Sequence, residues 1–195
     1  IAQNMIVPIL FGSAEKNIGT NELLQFVTDY VPAPTPIEDK AALVFKTLAD
    51  PYLGKMTFFK VYGGTFSGES VVYNSTREVE EKMGQLFYLR GKNQDNTTSV
   101  SAGDIAVVAK LQETKTGDTL CTKENKVVLE GINFPKPSLP LAVRPKSKGD
   151  EDKLGSALAR LVDEDPTISV SKNTETKQTI LSGMGEMQLD IVGEK

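Results

Sequence analysis

None of the 195 residues is histidine, and Cys121 is the only cysteine. Ser-His-Asp and Cys-His catalysis, imidazole-ligated metals and imidazole proton transfer near neutral pH are therefore closed to this sequence. Cys121, next to Leu120 with no activating neighbour, reads as a small buried hydrophobe, and a lone thiol suits a reducing compartment. Phosphoryl chemistry needs a Gly-x-x-x-x-Gly-Lys-Ser/Thr cradle, an Asp-x-x-Gly magnesium element and, for guanine, an Asn-Lys-x-Asp reader; the sequence contains neither the cradle nor the reader, and no Asp-x-x-Gly where a magnesium site would need it. The acid run Asp163-Glu164-Asp165 lacks a proton-transfer partner and falls at a predicted helix end. Lys146, Lys148, Lys153 and Arg160 interleave with Asp150, Glu151 and Asp152, the pattern of a solvated, self-paired face. Met184 and Met187 read as packing. No residue is assigned as catalytic and none as a metal ligand.

One short segment does have the make-up of a ligand loop. Leu10-Phe11-Gly12-Ser13-Ala14 ends a continuously apolar run, Ile6 to Phe11, that reads as a strand buried on both faces of a parallel sheet. The small residues Ser13 and Ala14 would let backbone come close to a planar ligand. Thr20 is a candidate helix cap, and Leu23, Phe26, Val27 and Tyr30 recur at helical spacing before Pro32. These parts read as the end of an α/β unit.

Two proline passages then divide the chain. Val31 to Pro36 alternates proline with small residues and predicts an extended connector. Beyond it come short strands with turn signals: Ala42 to Thr47, Lys55 to Tyr62, Ser70 to Asn74, Gln85 to Leu89 and Ile105 to Leu111. With turns at Gly63-Gly64, Gly103-Asp104 and Gly117-Asp118, this spacing predicts an antiparallel β-barrel. Phe58, Phe59 and Tyr62 would supply its core and edge. After Phe134 to Pro140, a strand over Leu141 to Val143 and a helix over Asp150 to Asp163 precede two strands around Val170 and Ile180 and a new helix start. That order is β-α-β-β-α, five of the six elements of a ferredoxin-like fold. The predicted domains are 1–36, 37–135 and 136–195. No window approaches the roughly 18 apolar residues of a membrane span, and the net charge of −4 argues against a nonspecific nucleic-acid coat.

Glu164-Asp165-Pro166-Thr167, Glu175-Thr176, Gln178-Thr179 and Gly183-Met184-Gly185-Glu186 together closely resemble the third domain of elongation factor G, in which EDPT, ET.QT and GMGELHLE follow at these offsets. Asp50-Pro51, Gly54-Lys55, Phe58 to Tyr62 and the two Gly-Asp turns resemble that family's second domain. Leu10 to Ala14 is similar to the fifth GTPase motif. The resemblance implies three parts in series: the last strand and helix of a P-loop GTPase domain, the barrel, and a truncated ferredoxin-like domain, so a fragment of a longer factor is expected. It further implies that Ser13 and Ala14 form the guanine-base loop, and that the parent uses GTP and Mg2+ to drive tRNA and mRNA movement on the ribosome. The partners implied are rRNA and ribosomal proteins, with no membrane, and the parent is expected to be a cytoplasmic monomer. A ribosomal-protection or recycling GTPase shares this layout, and a non-catalytic interaction module is the reading of another class. One departure stands out: Gln188 replaces the family's histidine, keeping hydrogen-bonding capacity while losing a charge switch.

Overall fold

Two ten-residue strands, the first buried along its opening four residues and the second largely alternating between buried and more exposed positions, set the frame of the larger unit. The computed structural model describes residues 5–50, 52–145 and 147–194; Pro51 and Lys146 lie outside these, as do the side chains of Lys148, Glu151 and Asp152. The chain forms two compact units, Ile1–Thr35 and Pro36–Lys195.

In the first unit, the helix α1 (Thr20–Tyr30) buries no residue. Its N-cap is Gly19 rather than Thr20, whose hydroxyl instead donates to Asn17 Oδ1 at 2.6 Å. Ile6 to Phe11, expected as a buried strand, pairs with no strand among the described residues and is exposed throughout. The apolar run reports a preference for burial, but a strand exists only where a neighbour completes the ladder, and Pro8 withholds one donor in any case.

In the second unit, β1 (Ala41–Asp50) and β2 (Gly54–Gly63) form an antiparallel hairpin with irregular register at Ala41/Ala42 and Val44/Lys46. Around it lie β4 (Val71–Asn74), β5 (Val79–Lys82), β6 (Leu86–Arg90), β7 (Asn93–Thr97), β9 (Ile105–Ala109) and β10 (Thr119–Cys121). The sheet order is β5-β4-β10-β1-β2-β9-β6-β7, all antiparallel. A separate ribbon of β3 (Thr65–Ser67) and β8 (Ser99–Ser101) carries Phe66 and Val100 into the same core as Phe59, Val61 and Leu120. The barrel is thus closed by side chains and this ribbon, not by one continuous ladder. Period-two alternation places Phe59 inside and Phe58 on the other face, in a second cluster with Met56, Phe87 and Val107. Gly103 and Gly117 both sit in turns with positive φ, and Cys121 is buried.

Residues 122–138 carry no regular secondary structure. A three-stranded antiparallel sheet follows in the order β11-β13-β12, formed by β11 (Leu139–Val143), β12 (Ser169–Lys172) and β13 (Thr179–Gly183). The helices α2 (Glu151–Glu164) and α3 (Glu186–Glu194) complete the β-α-β-β-α order. Leu158 of α2, Ile168, Leu181 of β13 and Leu189 of α3 form the core of this part. Burying each stabilises it by about 2 kcal/mol. No helix among the described residues is long and apolar enough to cross a membrane.

Candidate functional site

Three polar constructions stand out, and each begins with a residue whose side chain reaches across the fold. The first lies where α2 ends against the barrel. Thr47, buried in β1, donates its hydroxyl to the Asp163 carbonyl and lies 3.1 Å from the Thr116 hydroxyl. Two residues on, the Ala49 amide donates to Glu164 Oε1 at 2.8 Å, and Lys115 pairs with Asp163 at 3.5 Å. The last carbonyls of a helix lack intrahelical donors, so an outside hydroxyl here both caps α2 and fastens it to the barrel. Lys55 lines the groove at this junction and donates to the Gln112 carbonyl at 3.1 Å. Partial burial pulls its pKa below the ordinary lysine value, although Asp163 and Glu81 act the other way.

The acid run of the sequence therefore has a structural task. Asp163 and Glu164 fasten two parts of the fold, and Asp165 belongs to the second construction, a clasp around Gln188. The Gln188 amide nitrogen donates to Asp165 Oδ2 and to the Thr167 hydroxyl, both at 2.9 Å, while its oxygen accepts the Met184 amide at 2.7 Å. Asp165 Oδ1 in turn accepts the Thr167 amide at 2.8 Å and the Thr167 hydroxyl at 2.6 Å. One side chain thus joins the loop before β12 to the turn after β13. Gly183 makes room for it: a Cβ there would fall 2.8 Å from Gln188 Oε1 and 2.7 Å from Leu189 Cδ2. An amide suits the task because it is donor and acceptor at once at any ordinary pH.

A third network braces the barrel beneath the junction. Asp118 Oδ2 accepts Asn74 Nδ2 at 2.9 Å, the Lys115 amide at 2.8 Å and Arg77 Nε at 2.5 Å. Glu81 accepts the amides of Gln112, Glu113 and Thr114 at 2.6, 2.9 and 3.0 Å, and holds the Thr114 hydroxyl as well. These acceptors fix the 111–118 segment that presents Lys115 and Thr116 to α2. Sequence reading treated Gly117-Asp118 only as a turn. The carboxylate's burial, and hence its role as a hub, appears only once β4 and β10 lie side by side.

The sequence-predicted ligand loop lies in the first unit. Ser13 and Ile18 form a two-way backbone bridge, Ser13 N to Ile18 O at 2.9 Å and Ile18 N to Ser13 O at 3.0 Å. Gly12 and Gly19 let the two sides of this loop touch, since a Cβ on either would lie 2.6 Å from a backbone oxygen opposite. The Ser13 amide is thereby occupied, and its hydroxyl accepts the Lys16 amide at 3.4 Å. Ala14 is exposed, and among the described residues nothing accepts its amide. Of the two residues singled out, only Ala14 keeps a backbone donor for a ligand. No group of three or more residues able to hold a metal ion occurs among the described residues.

Comparison with known proteins bears on both parts of the second unit. The family model described as elongation factor G domain 2 matches residues 39–123, and that described as elongation factor G domain III matches residues 134–195. The chain belongs to the elongation factor G family. A crystal structure of a protein from Thermus thermophilus superposes with a TM-score of 0.80 at 27% identity. The match covers 92% of this chain and 28% of that one, so the chain spans little more than a quarter of its relative's length. The barrel is domain 2 and the β-α-β-β-α part lies in domain III. The Asp163–Thr47 and Glu164–Ala49 bonds therefore fasten domain III to domain 2, and Gln188 clasps the two segments by which domain III was recognised.

Proposed function

We propose that this chain is the mechanical middle of an elongation factor G-like translation factor that couples GTP binding and hydrolysis to movement of tRNA and mRNA on the ribosome. Membership of the family supports this reading, and the junction at Thr47, Ala49, Asp163 and Glu164 carries it. A domain pair that relays a nucleotide-dependent rearrangement must move as a body, and direct bonds from a buried strand to a helix end supply that stiffness. Domain 2 would bear on the small subunit, and domain III would pass displacement to distal parts of the parent. GTP with Mg2+ would be held by the parent's nucleotide-binding region. To that site this chain contributes the Ala14 amide as a guanine-base contact, with Ser13 shaping the loop. The ribosome, through rRNA and ribosomal proteins, is the proposed partner, and the cytoplasm the proposed place of action.

The test uses the full-length parent with programmed ribosomes. Ribosome-stimulated GTP hydrolysis accompanied by a one-codon advance of the mRNA in a toeprint assay is the expected result. Hydrolysis without advance, but with release of a ribosome-bound antibiotic or splitting of subunits, would assign the protein to a protection or recycling role. Ribosome binding with no hydrolysis would make it a non-catalytic interaction module.

A further inference from the structure

A groove of about 870 Å³ runs beside α2, away from the Gln188 clasp. Its floor is aliphatic: Leu154, Leu158 and Val162 along α2, with Val143 of β11 and Val170 of β12. The three α2 residues recur every fourth position and make a stripe about 12 Å long, two helical turns. Gly155 leaves a bare patch beside that stripe, where an added Cβ would meet nothing within 4 Å. The rim has the opposite character. Arg144, Lys172, Lys177 and Lys115 surround the groove, and Asp163 is its one acidic residue.

Lys115 is engaged by Asp163, whereas Arg144, Lys172 and Lys177 take part in no ion pair among the described residues. Lys177 is held by the β12–β13 turn, with Asn173 N bonded to Gln178 O at 2.9 Å and the Asn173 side chain accepting the amides of Glu175 and Thr176. In a chain whose net charge is −4, four cations against one acid around a single groove is a local reversal of sign. Aliphatic floor and cationic rim together are complementary to a helix with leucine-like side chains on one face and carboxylates at its flanks. Nucleic acid fits less well, because no aromatic ring lines the groove for a base to stack on.

We propose that this domain III groove seats an acidic amphipathic helix of a partner protein. Arg144, Lys172 and Lys177 pair with its carboxylates, and half-buried Leu154, Val162 and Val143 with exposed Val170 take its apolar face over the buried Leu158. The inference is independent of the translocation reading, since it concerns binding by this chain without nucleotide.

The experiment is fluorescence anisotropy with the full chain and a fluorescein-labelled model helix of about four turns, with leucine on one face and glutamate on the flanks. The same helix with lysine for glutamate and an RNA hairpin serve as competitors. Saturable binding of the acidic helix is expected, weakened at least about tenfold in the R144E/K172E double variant and by a similar factor in Gly155→Trp, which fills the groove and leaves every charge in place. Both variants change exposed positions, and circular dichroism checks that they fold. Failure of the acidic helix to bind, tighter binding of the RNA hairpin, or unchanged affinity in Gly155→Trp would each overturn the proposal, the last by reducing the interaction to surface charge alone.

Discussion

The barrel and the helix-covered sheet of domain III are built to different degrees of self-sufficiency. In the barrel, Val44, Phe59, Val61, Val108 and Leu120 are wholly removed from solvent, because strands and ribbon surround them. The domain III core is a single interface between one three-stranded sheet and two helices. Leu154, Leu161 and Val162 stay partly exposed around it, and every residue of β12 is exposed. A closed sheet shields its interior on all sides, whereas a two-layer part exposes its rim and gains from whatever it leans on. Domain III leans on domain 2 through the end of α2. Besides the proline-bearing passage between them, the bonds from Thr47 and Ala49 form a direct tie.

Core truncation should separate the two parts most widely. Phe59→Ala is expected to cost about 3–5 kcal/mol and to strip amide protection from barrel and domain III alike. Leu158→Ala, at about 2–4 kcal/mol, should expose domain III while leaving barrel amides protected. Urea titration followed by hydrogen exchange reads both, and equal loss across both parts in Leu158→Ala would break the comparison.

Two buried threonines one strand apart offer a sharper contrast. Thr47→Val removes the hydroxyl that satisfies the Asp163 carbonyl and should cost about 1–2 kcal/mol, with faster exchange at the end of α2. Thr57 is equally buried, yet its hydroxyl has no partner among the described residues. Thr57→Val should therefore be neutral or stabilise by up to about 1 kcal/mol. Thermal melts should fall for Thr47→Val and hold or rise for Thr57→Val.

Gln188→Leu keeps approximate size while breaking the clasp, and the expected cost is about 1–2 kcal/mol, confined to domain III. Faster exchange at the Met184 amide with an unchanged barrel is the signature to seek. A Gln188→His variant should make that protection depend on pH, since imidazole accepts from Met184 only when neutral.

The smallest effect lies at the exposed β1–β2 tip. Asp50 accepts the Leu53 amide at 2.9 Å and the Tyr52 amide at 2.8 Å, and these bonds hold its carboxyl below the ordinary aspartate value. A depressed carboxyl stabilises the folded tip above its unfolded pKa, and that contribution is lost as pH falls through the folded one. Exchange at Tyr52 and Leu53 should quicken below the usual aspartate range, and Asp50→Asn should flatten the profile.

Much of this architecture was readable in residue order alone. The short strand-like runs Ala42 to Thr47 and Lys55 to Tyr62 with their turn signals, glycines at 103 and 117, and the helical stripe of Leu154, Leu158 and Leu161 are local signals, and the corresponding elements form within a few residues of the expected ends. The short strands β3, β5, β7, β8 and β10 escaped notice, because three to five residues, mostly polar in all but β10, become strands only when a neighbour offers its ladder. Ile6 to Phe11 failed for the converse reason: its apolarity was evident but no ladder partner stands beside it among the described residues.

The chemistry divides along the same line. Composition alone excluded histidine and disulfide chemistry, and the spacing from EDPT to GMGE was enough to indicate the family, because both are properties of residue identity and order. What Asp163, Glu164, Asp118 and Gln188 do was decided by tertiary structure. Apart from the local bonds of Asp118 to Lys115 and of Gln188 to Met184, their hydrogen-bond partners lie from 21 to 116 positions away in sequence, the farthest made by the Asp163 carbonyl, and hydrogen-bond geometry over such separations exists only after the chain has folded.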